Sequence, residues 1–529
     1  MHSPVTPAAA AFVVAAAAAP KELPELREPL FAAKGQLQPV HHRGARHTWA
    51  GWMLTLEKHP TDAASARHGD VSVLLAGELY NRQELARATG HEPGTPEVTD
   101  AQLLAEAYAR YGEHAFRMLN GRFAAVLCDG PVLLAATDHA GGVPLYLRRT
   151  ATAVLLSTEA KTLLTADDGR PEGVRGLPGG LLPVRGSDRV RQLPAGTVAV
   201  LALETGAARA FRTWQPSPAR HLPLPEQAIA RTRQVLEQAV RTRLPGTGTP
   251  TIVLSGGIDS SSVAALAAGA GLGLSTVSMG TDLSDEFPAA RLVVEHLGGL
   301  HPGLRHTELT LTTQDLLADL PWAVWAAEVS DPDIIEYLLP LVALYRRLDG
   351  PPRRILTGYG ADIPLGGMHR HAERLPELDD LVARDMATFD GLNEMSPTLA
   401  AVAGHWSSHP FWDREVLDTL VTLEAGLKRR DGIDKWVLRR ATADLLPEAT
   451  VNRPKLGVHE GSGTSSALTA LFLARDIAPE EVRQAKQQAL EALYDALISG
   501  RTHPDDIALD DVLPKGFPME LSTRDGDSL

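Results

Sequence analysis

The chain has 529 residues, 44% of them hydrophobic, which is enough for two packed domains and rules out a single small core. Lys and Arg number 51 against 65 Asp and Glu, a formal charge of -14, and no basic stripe offers to track a phosphate backbone, so nucleic acid is not an expected partner. The one cysteine, Cys128, can form neither an intrachain disulfide nor a thiolate metal cluster, which fits a reducing compartment and an expected cytoplasmic location.

The stretch from Ala8 to Ala19 has the apolar character of a secretory signal core, but no Lys or Arg precedes it and it is too short to span a bilayer, so it is expected to be a strand. No other apolar run approaches membrane length. Short apolar runs bounded by turn residues follow at Val71 to Leu75, Phe123 to Leu127, Val132 to Ala136 and Ala153 to Leu155, the pattern of a strand-rich domain. Between the first two, Thr99 to Met118 carries Leu103, Leu104, Ala107, Tyr108 and Tyr111 at helical spacing behind a Thr99 or Asp100 cap.

Four prolines between Thr213 and Pro225 mark a linker, giving expected domains of 1–212 and 213–529. Beyond it, Glu226 to Arg243 reads as a helix, then a turn, the apolar run Thr251 to Leu254, a glycine turn and another helix, which is an α/β order. Long helices are expected at Ile334 to Leu348 and Arg414 to Lys428.

The glycine turn carries the chemistry. Val253-Leu254-Ser255-Gly256-Gly257-Ile258-Asp259-Ser260-Ser261-Ser262 places two glycines and a series of hydroxyls at a helix N-terminus, where free N–H groups and the helix dipole favour an oxyanion such as pyrophosphate. No Gly-Lys-[Ser/Thr] follows, so it is not a Walker A loop. Asp259 adds a carboxylate suited to magnesium.

This SGGIDSS segment resembles the signature of the PP-loop ATP pyrophosphatases, which cleave ATP between the α and β phosphates. In the first domain, Gly77 to Asn81 (GELYN), Asp138 to Tyr146 (DHAGGVPLY) and Ser157 to Lys161 (STEAK) resemble the glutaminase domain of asparagine synthetases. That likeness implies an N-terminal αββα sandwich of the Ntn-hydrolase type joined to a helix-rich PP-loop α/β domain. It also implies a degenerate glutaminase. The sequence begins Met1-His2-Ser3 where the family has a catalytic cysteine after Met1, Ala76 stands where the family has its oxyanion-hole asparagine, and Cys128 lies inside an apolar run.

A second departure concerns the nitrogen source. Leu356-Thr357-Gly358-Tyr359-Gly360-Ala361-Asp362 has Tyr359 where asparagine synthetases carry glutamate. With Asp333 to Pro340, Met386 to Ser396 and Asn452 to Gly463, it closely resembles the β-lactam synthetases of clavulanic acid biosynthesis. That resemblance implies Mg2+ and ATP as cofactors and N2-(2-carboxyethyl)arginine as the small amino-acid substrate. The β-carboxylate would be adenylated with release of pyrophosphate, and the substrate's own amine would then close the lactam, giving deoxyguanidinoproclavaminate and AMP.

The same resemblance implies the site. Tyr359 with Glu394 forms a catalytic dyad, a partner being needed because a free phenol titrates at about 10, and Lys455 neutralises developing charge. Val253, Ser255, Gly256, Gly257, Asp259, Ser260, Met279 and Gly358 surround the nucleotide, and Asp259 and Asp362 bind magnesium. Tyr337, Gly360 and Asp385 face the substrate, with Asp385 opposite its guanidinium. A homodimer is compatible with this reading, and no membrane partner is expected. Carbapenam synthetase, ammonia-dependent asparagine synthetase and a non-catalytic nucleotide-binding protein are the alternatives.

Overall fold

The computed structural model describes residues 6–507 except 58–62, 92–97, 165–176, 218–219, 222, 247, 272, 370–371, 373, 388–397, 455–460 and 474–476. The first part of the chain forms strands β1 (Ala11–Ala17), β2 (Gln36–Arg43), β3 (Thr48–Thr55), β4 (Ser65–His68), β5 (Val71–Leu79), β6 (Gly121–Asp129), β7 (Val132–Thr137), β8 (Tyr146–Arg149), β9 (Val154–Ser157), β10 (Leu182–Val184), β11 (Ser187–Gln192), β12 (Thr197–Ala202) and β13 (Ala208–Arg212). They pair into a seven-stranded sheet, β10-β11-β8-β9-β1-β3-β2, and a six-stranded sheet, β13-β12-β7-β6-β5-β4.

Period-two alternation builds the sandwich. Leu74 and Ala76 of β5, with Val126 and Cys128 of β6, face the other sheet. Their neighbours Val73, Leu75 and Leu127 face away, onto Leu104 and Ala105 of the helix Asp100–Tyr111. Thr99 caps that helix by accepting from the Gln102 N–H at 3.1 Å. The signal-like run is β1, hydrogen-bonded on both edges by β3 and β9 and buried along its length. The mixed α/β character and layered sandwich agree with the fold expected from the sequence.

After β13 the chain crosses to the helix Pro225–Arg243. Trp214 in this crossing is buried, and its indole N–H donates to Asp418 at 2.8 Å. The C-terminal half contains a parallel sheet of β14 (Thr251–Val253), β15 (Ser275–Thr281), β16 (Arg305–Leu311), β17 (Arg354–Thr357) and β18 (Trp406–Ser408), in the order β16-β15-β14-β17-β18. The strand order reverses between β14 and β17. In open parallel sheets a crevice forms there, outside the C-terminal ends of the strands.

The helix expected at Ile334 to Leu348 runs from Pro332 to Arg346, and two further boundaries differ from expectation. The run 414–428 is two helices, Arg414–Thr422 and Ala425–Lys428, because Leu423 takes an extended conformation and forms a bridge with His221. The His221 N–H donates to the Thr422 carbonyl, and the Glu424 N–H to that of His221. Similarly, the helix after Thr99 stops at Tyr111, where Gly112 adopts φ 57°, before the short turn Ala115–Met118. Among the described residues, no helix is long and apolar enough to cross a membrane.

Candidate active site

Both loops at the switch point come from strand ends. Strand β14 runs through Leu254 into Ser255, Gly256 and Gly257, and the helix Ile258–Ala268 begins immediately after. The Ser260 hydroxyl closes the turn, accepting from the Ser255 N–H and lying 3.2 Å from the Ser255 hydroxyl. Strand β17 delivers Gly358, Tyr359 and Gly360 opposite. A Cβ on Gly358 would stand 2.2 Å from the Ser260 nitrogen, so the two loops meet backbone to backbone at the helix N-terminus.

The cleft between them is lined by Val253, Ser255, Gly257, Asp259, Ser260, Tyr337, Gly358, Tyr359, Gly360 and Asp362, which the sequence had assigned to a common site. Gly256 lies in the same turn. The Tyr359 ring packs edge-on against Tyr337, with centroids 5.2 Å apart, and its N–H donates to the Thr357 hydroxyl at 3.2 Å. Met279 and Asp385 do not line the cleft. Met279 of β15 belongs to the core beside Val277 and Leu316, and the Asp385 carboxylate lies 2.7 Å from His369 Nε2. Glu394 and Lys455 fall outside the described residues.

The structure adds charges that the sequence reading missed. Lys435, 1% exposed, donates to Asp259 and lies 2.7 Å from Asp362. Burial works against its charge, but the two carboxylates outweigh it and hold the ammonium above its ordinary pKa. Arg453, in the stretch that precedes Lys455, donates to the Ser255 carbonyl at 3.0 Å and pairs with Glu286 at 2.9 Å. Burial raises the Glu286 carboxyl against the pull of Arg453. Arg439 also lines the cleft and donates to the Arg453 carbonyl at 3.0 Å. Two arginines and a helix N-terminus lining one cleft suit a polyphosphate.

The carboxylates Asp259 and Asp362 share one ammonium and so stand close enough to share a cation. Two hard oxygen donors, completed by substrate phosphates, is the set magnesium usually takes. The residues present therefore fit that ion.

Motifs in the sandwich that resemble a glutaminase serve here as structure. Asp138 accepts from the N–H groups of Phe123, Ala140 and Gly142 and so shapes its own loop. Lys161 lies 2.5 Å from Glu159 and 3.3 Å from Glu328 of the C-terminal half. Glu78 pairs with Arg354 at the start of β17 and accepts from the Trp406 indole at 2.9 Å. Burial opposes the Glu78 charge, yet Arg354 and Trp406 hold its carboxyl below the ordinary range. Cys128 is buried in the sandwich core, with its thiol pushed up by burial, so it is no nucleophile as it stands.

Comparison with known proteins agrees with this geometry. The asparagine synthase family matches residues 231–407 and 383–507, and the glutamine amidotransferase domain family matches residues 57–165. The chain is 51% identical over 518 residues to the carboxyethyl-arginine beta-lactam-synthase of Streptomyces clavuligerus, covering 97% of this chain and 98% of that one. The chain belongs to the asparagine synthase family. It is accordingly an enzyme, a ligase. Asparagine synthetase [glutamine-hydrolyzing] 2 of Oryza sativa subsp. japonica is 29% identical over 425 residues, covering 75% of this chain and 66% of its own length. The asparagine synthetase [glutamine-hydrolyzing] of Zea mays is 27% identical over 492 residues, covering 86% and 78%. Within the asparagine synthase family, the likeness to the β-lactam-forming member thus extends across nearly the entire chain.

Proposed function

We propose that this enzyme is an ATP- and Mg2+-dependent β-lactam synthetase of clavulanic acid biosynthesis, acting in the cytoplasm on N2-(2-carboxyethyl)arginine. The observation that carries the reading is Tyr359, held between Gly358 and Gly360 in the same cleft as the Ser255–Ser260 loop. The name of the Streptomyces clavuligerus relative supports the choice of substrate.

In the first step a β-carboxylate oxygen of the substrate bonds to the α-phosphorus of ATP, and the bond to the β-phosphate oxygen breaks. Departing pyrophosphate is received by the N–H and hydroxyl groups of Ser255 to Ser260, with Arg439 and Arg453 nearby. Asp259 and Asp362 would hold magnesium, which supplies charge neutralisation to the phosphates when bound.

In the second step the secondary amine of the substrate bonds to the acyl carbon and AMP leaves. Tyr359 accepts the amine proton as it passes its phenolic proton to the Glu394 carboxylate, and Lys455 offsets charge on the tetrahedral carbon's oxygen. Holding amine and acyl group together replaces a bimolecular encounter and offsets part of the ring strain. The nitrogen is already in the substrate, so the sandwich needs no glutaminase chemistry.

The test is mass spectrometry of the pure protein incubated with ATP, Mg2+ and N2-(2-carboxyethyl)arginine. A product lighter by one water, with AMP and pyrophosphate, is expected. Turnover confined to carboxymethylproline, or asparagine formed from aspartate and ammonium, would replace this reading.

A further inference from the structure

Residues 406–413 form a strap between the sandwich and the Tyr359 loop. On one side the strap is tied to the sandwich near both of its ends. The Trp406 indole donates to Glu78, the Ser407 carbonyl accepts from Arg122, and the Ser408 hydroxyl lies 3.0 Å from the Tyr80 hydroxyl. Further along, the Trp412 carbonyl accepts from His139 Nε2 at 2.8 Å, and Asp413 accepts from Asn120 at 3.2 Å. Its other side touches the loop. Trp412 stands directly over Gly360, and the His409 ring lies 5.8 Å from that of Tyr359.

His409 makes a polar bond toward the loop. Its Nδ1 lies 2.7 Å from the Thr357 hydroxyl, the same hydroxyl that accepts from the Tyr359 N–H. That oxygen has a second lone pair and its own proton, so it can pair with either tautomer of the neutral ring while holding the Tyr359 backbone. The surroundings keep the ring uncharged. Burial, with the Arg122 and Arg243 charges, keeps the imidazole well below its ordinary pKa and so neutral. His409 is 7% exposed and does not line the cleft, so it is not placed to touch substrate.

We propose that His409 is a positioning residue for ring closure, fixing the Tyr359 backbone through the Thr357 hydroxyl and so making the sandwich a mechanical support for the second half-reaction. The inference rests on the reading of Tyr359 as the group that accepts the amine proton. Adenylation depends on the Ser255–Ser260 loop, whereas the polar bond from His409 runs to the Thr357 hydroxyl that holds Tyr359. Ring closure depends on where Tyr359 stands, and a displacement of about 1 Å in a catalytic group can cost on the order of 10²-fold.

The experiment compares two reactions of the full-length enzyme: substrate-dependent exchange of pyrophosphate into ATP, which reads adenylation, and lactam formation, which reads both steps. Variants are His409→Ala, His409→Asn, Thr357→Val and Tyr359→Phe. His409→Ala and Thr357→Val are expected to lower kcat for the lactam at least tenfold while exchange and the KM for ATP change less than about threefold. His409→Asn, whose side-chain amide reaches the Nδ1 position, is expected to recover most of the lost kcat. Thr357→Val keeps the packing, so it decides the matter if His409→Ala folds poorly. Unchanged lactam formation in both His409→Ala and Thr357→Val, beside a Tyr359→Phe enzyme that makes none, overturns the positioning role and leaves the reading of Tyr359 standing. A parallel loss of exchange and lactam formation also overturns it. An intact Tyr359→Phe enzyme removes the underlying reading and this inference together.

Discussion

The Lys435 ammonium lies 2.7 Å from the Asp362 carboxylate with almost no exposure to solvent, and it reaches Asp259 as well. A fully buried cation between two carboxylates compensates both, and removing one member of such a cluster leaves uncompensated charge at a cost of about 3–5 kcal/mol. Lys435→Gln is therefore expected to lower the melting temperature markedly. Millimolar MgCl2 without nucleotide should recover part of that loss and leave the wild-type melting temperature nearly unchanged. Thermal melts of both proteins with and without the salt check this, and an identical magnesium response in the two would remove the argument.

Gly360 has φ 85°, and a Cβ there would fall 1.3 Å from the Trp412 indole nitrogen. Either fact alone disfavours a side chain, the left-handed backbone by about 1–2 kcal/mol. Gly360→Ala must push the loop off Trp412, so lactam formation is expected to fall more than a hundredfold. The measurement is product formation at saturating substrate, and activity within tenfold of wild type would mean that the loop tolerates displacement.

Tyr359→Phe keeps the ring that packs on Tyr337 and removes the phenol. Binding of ATP and exchange of pyrophosphate are expected to persist within a few fold, while ring closure falls by about 10²–10⁴, the range for loss of a general base. Rapid-quench experiments should then find acyl-adenylate accumulating where wild type passes directly to product.

Lys428 is wholly buried, and its ammonium donates to the Val421 carbonyl at 3.2 Å. Burial first, and then the Arg220 charge, lower its pKa to about 7 despite Asp379. Between that value and about 10.4 the unfolded chain binds the extra proton, so this residue makes stability rise with pH by up to about 1.4 kcal/mol per unit. Lys428→Met lacks the contribution. The variant is expected to be the more stable protein at pH 7, with the gap narrowing by pH 9. Urea melts at the two pH values check it, and a constant gap would assign the effect elsewhere.

What could be read from the sequence follows how local the signal is. The Ser255–Ser260 loop is legible because strand, turn and helix start are consecutive, and β1 because its flanks lack the charge of a secretory leader. Tyr359 needed resemblance, since nothing in its immediate neighbours brings it to the loop a hundred residues earlier. Lys435, Arg439, Arg453 and His409 reach their positions through helix packing and the reversal of strand order, which no spacing in the chain records. Met279 is buried in the cluster against which Val253, Tyr337 and Tyr359 of the cleft pack, a placement that alternation along β15 alone does not give. The break at Leu423 was invisible for the same reason, because its partner His221 is two hundred residues away.

Cys128, sealed between the two sheets, also offers the experimenter a clock. A thiol reagent can reach it only when the sandwich opens, so the labelling rate of the wild-type protein in native buffer reports how often that opening occurs. Since the chain has no other cysteine, the signal is free of background. Read beside turnover, that rate would tell whether the sandwich stays closed while the other half works.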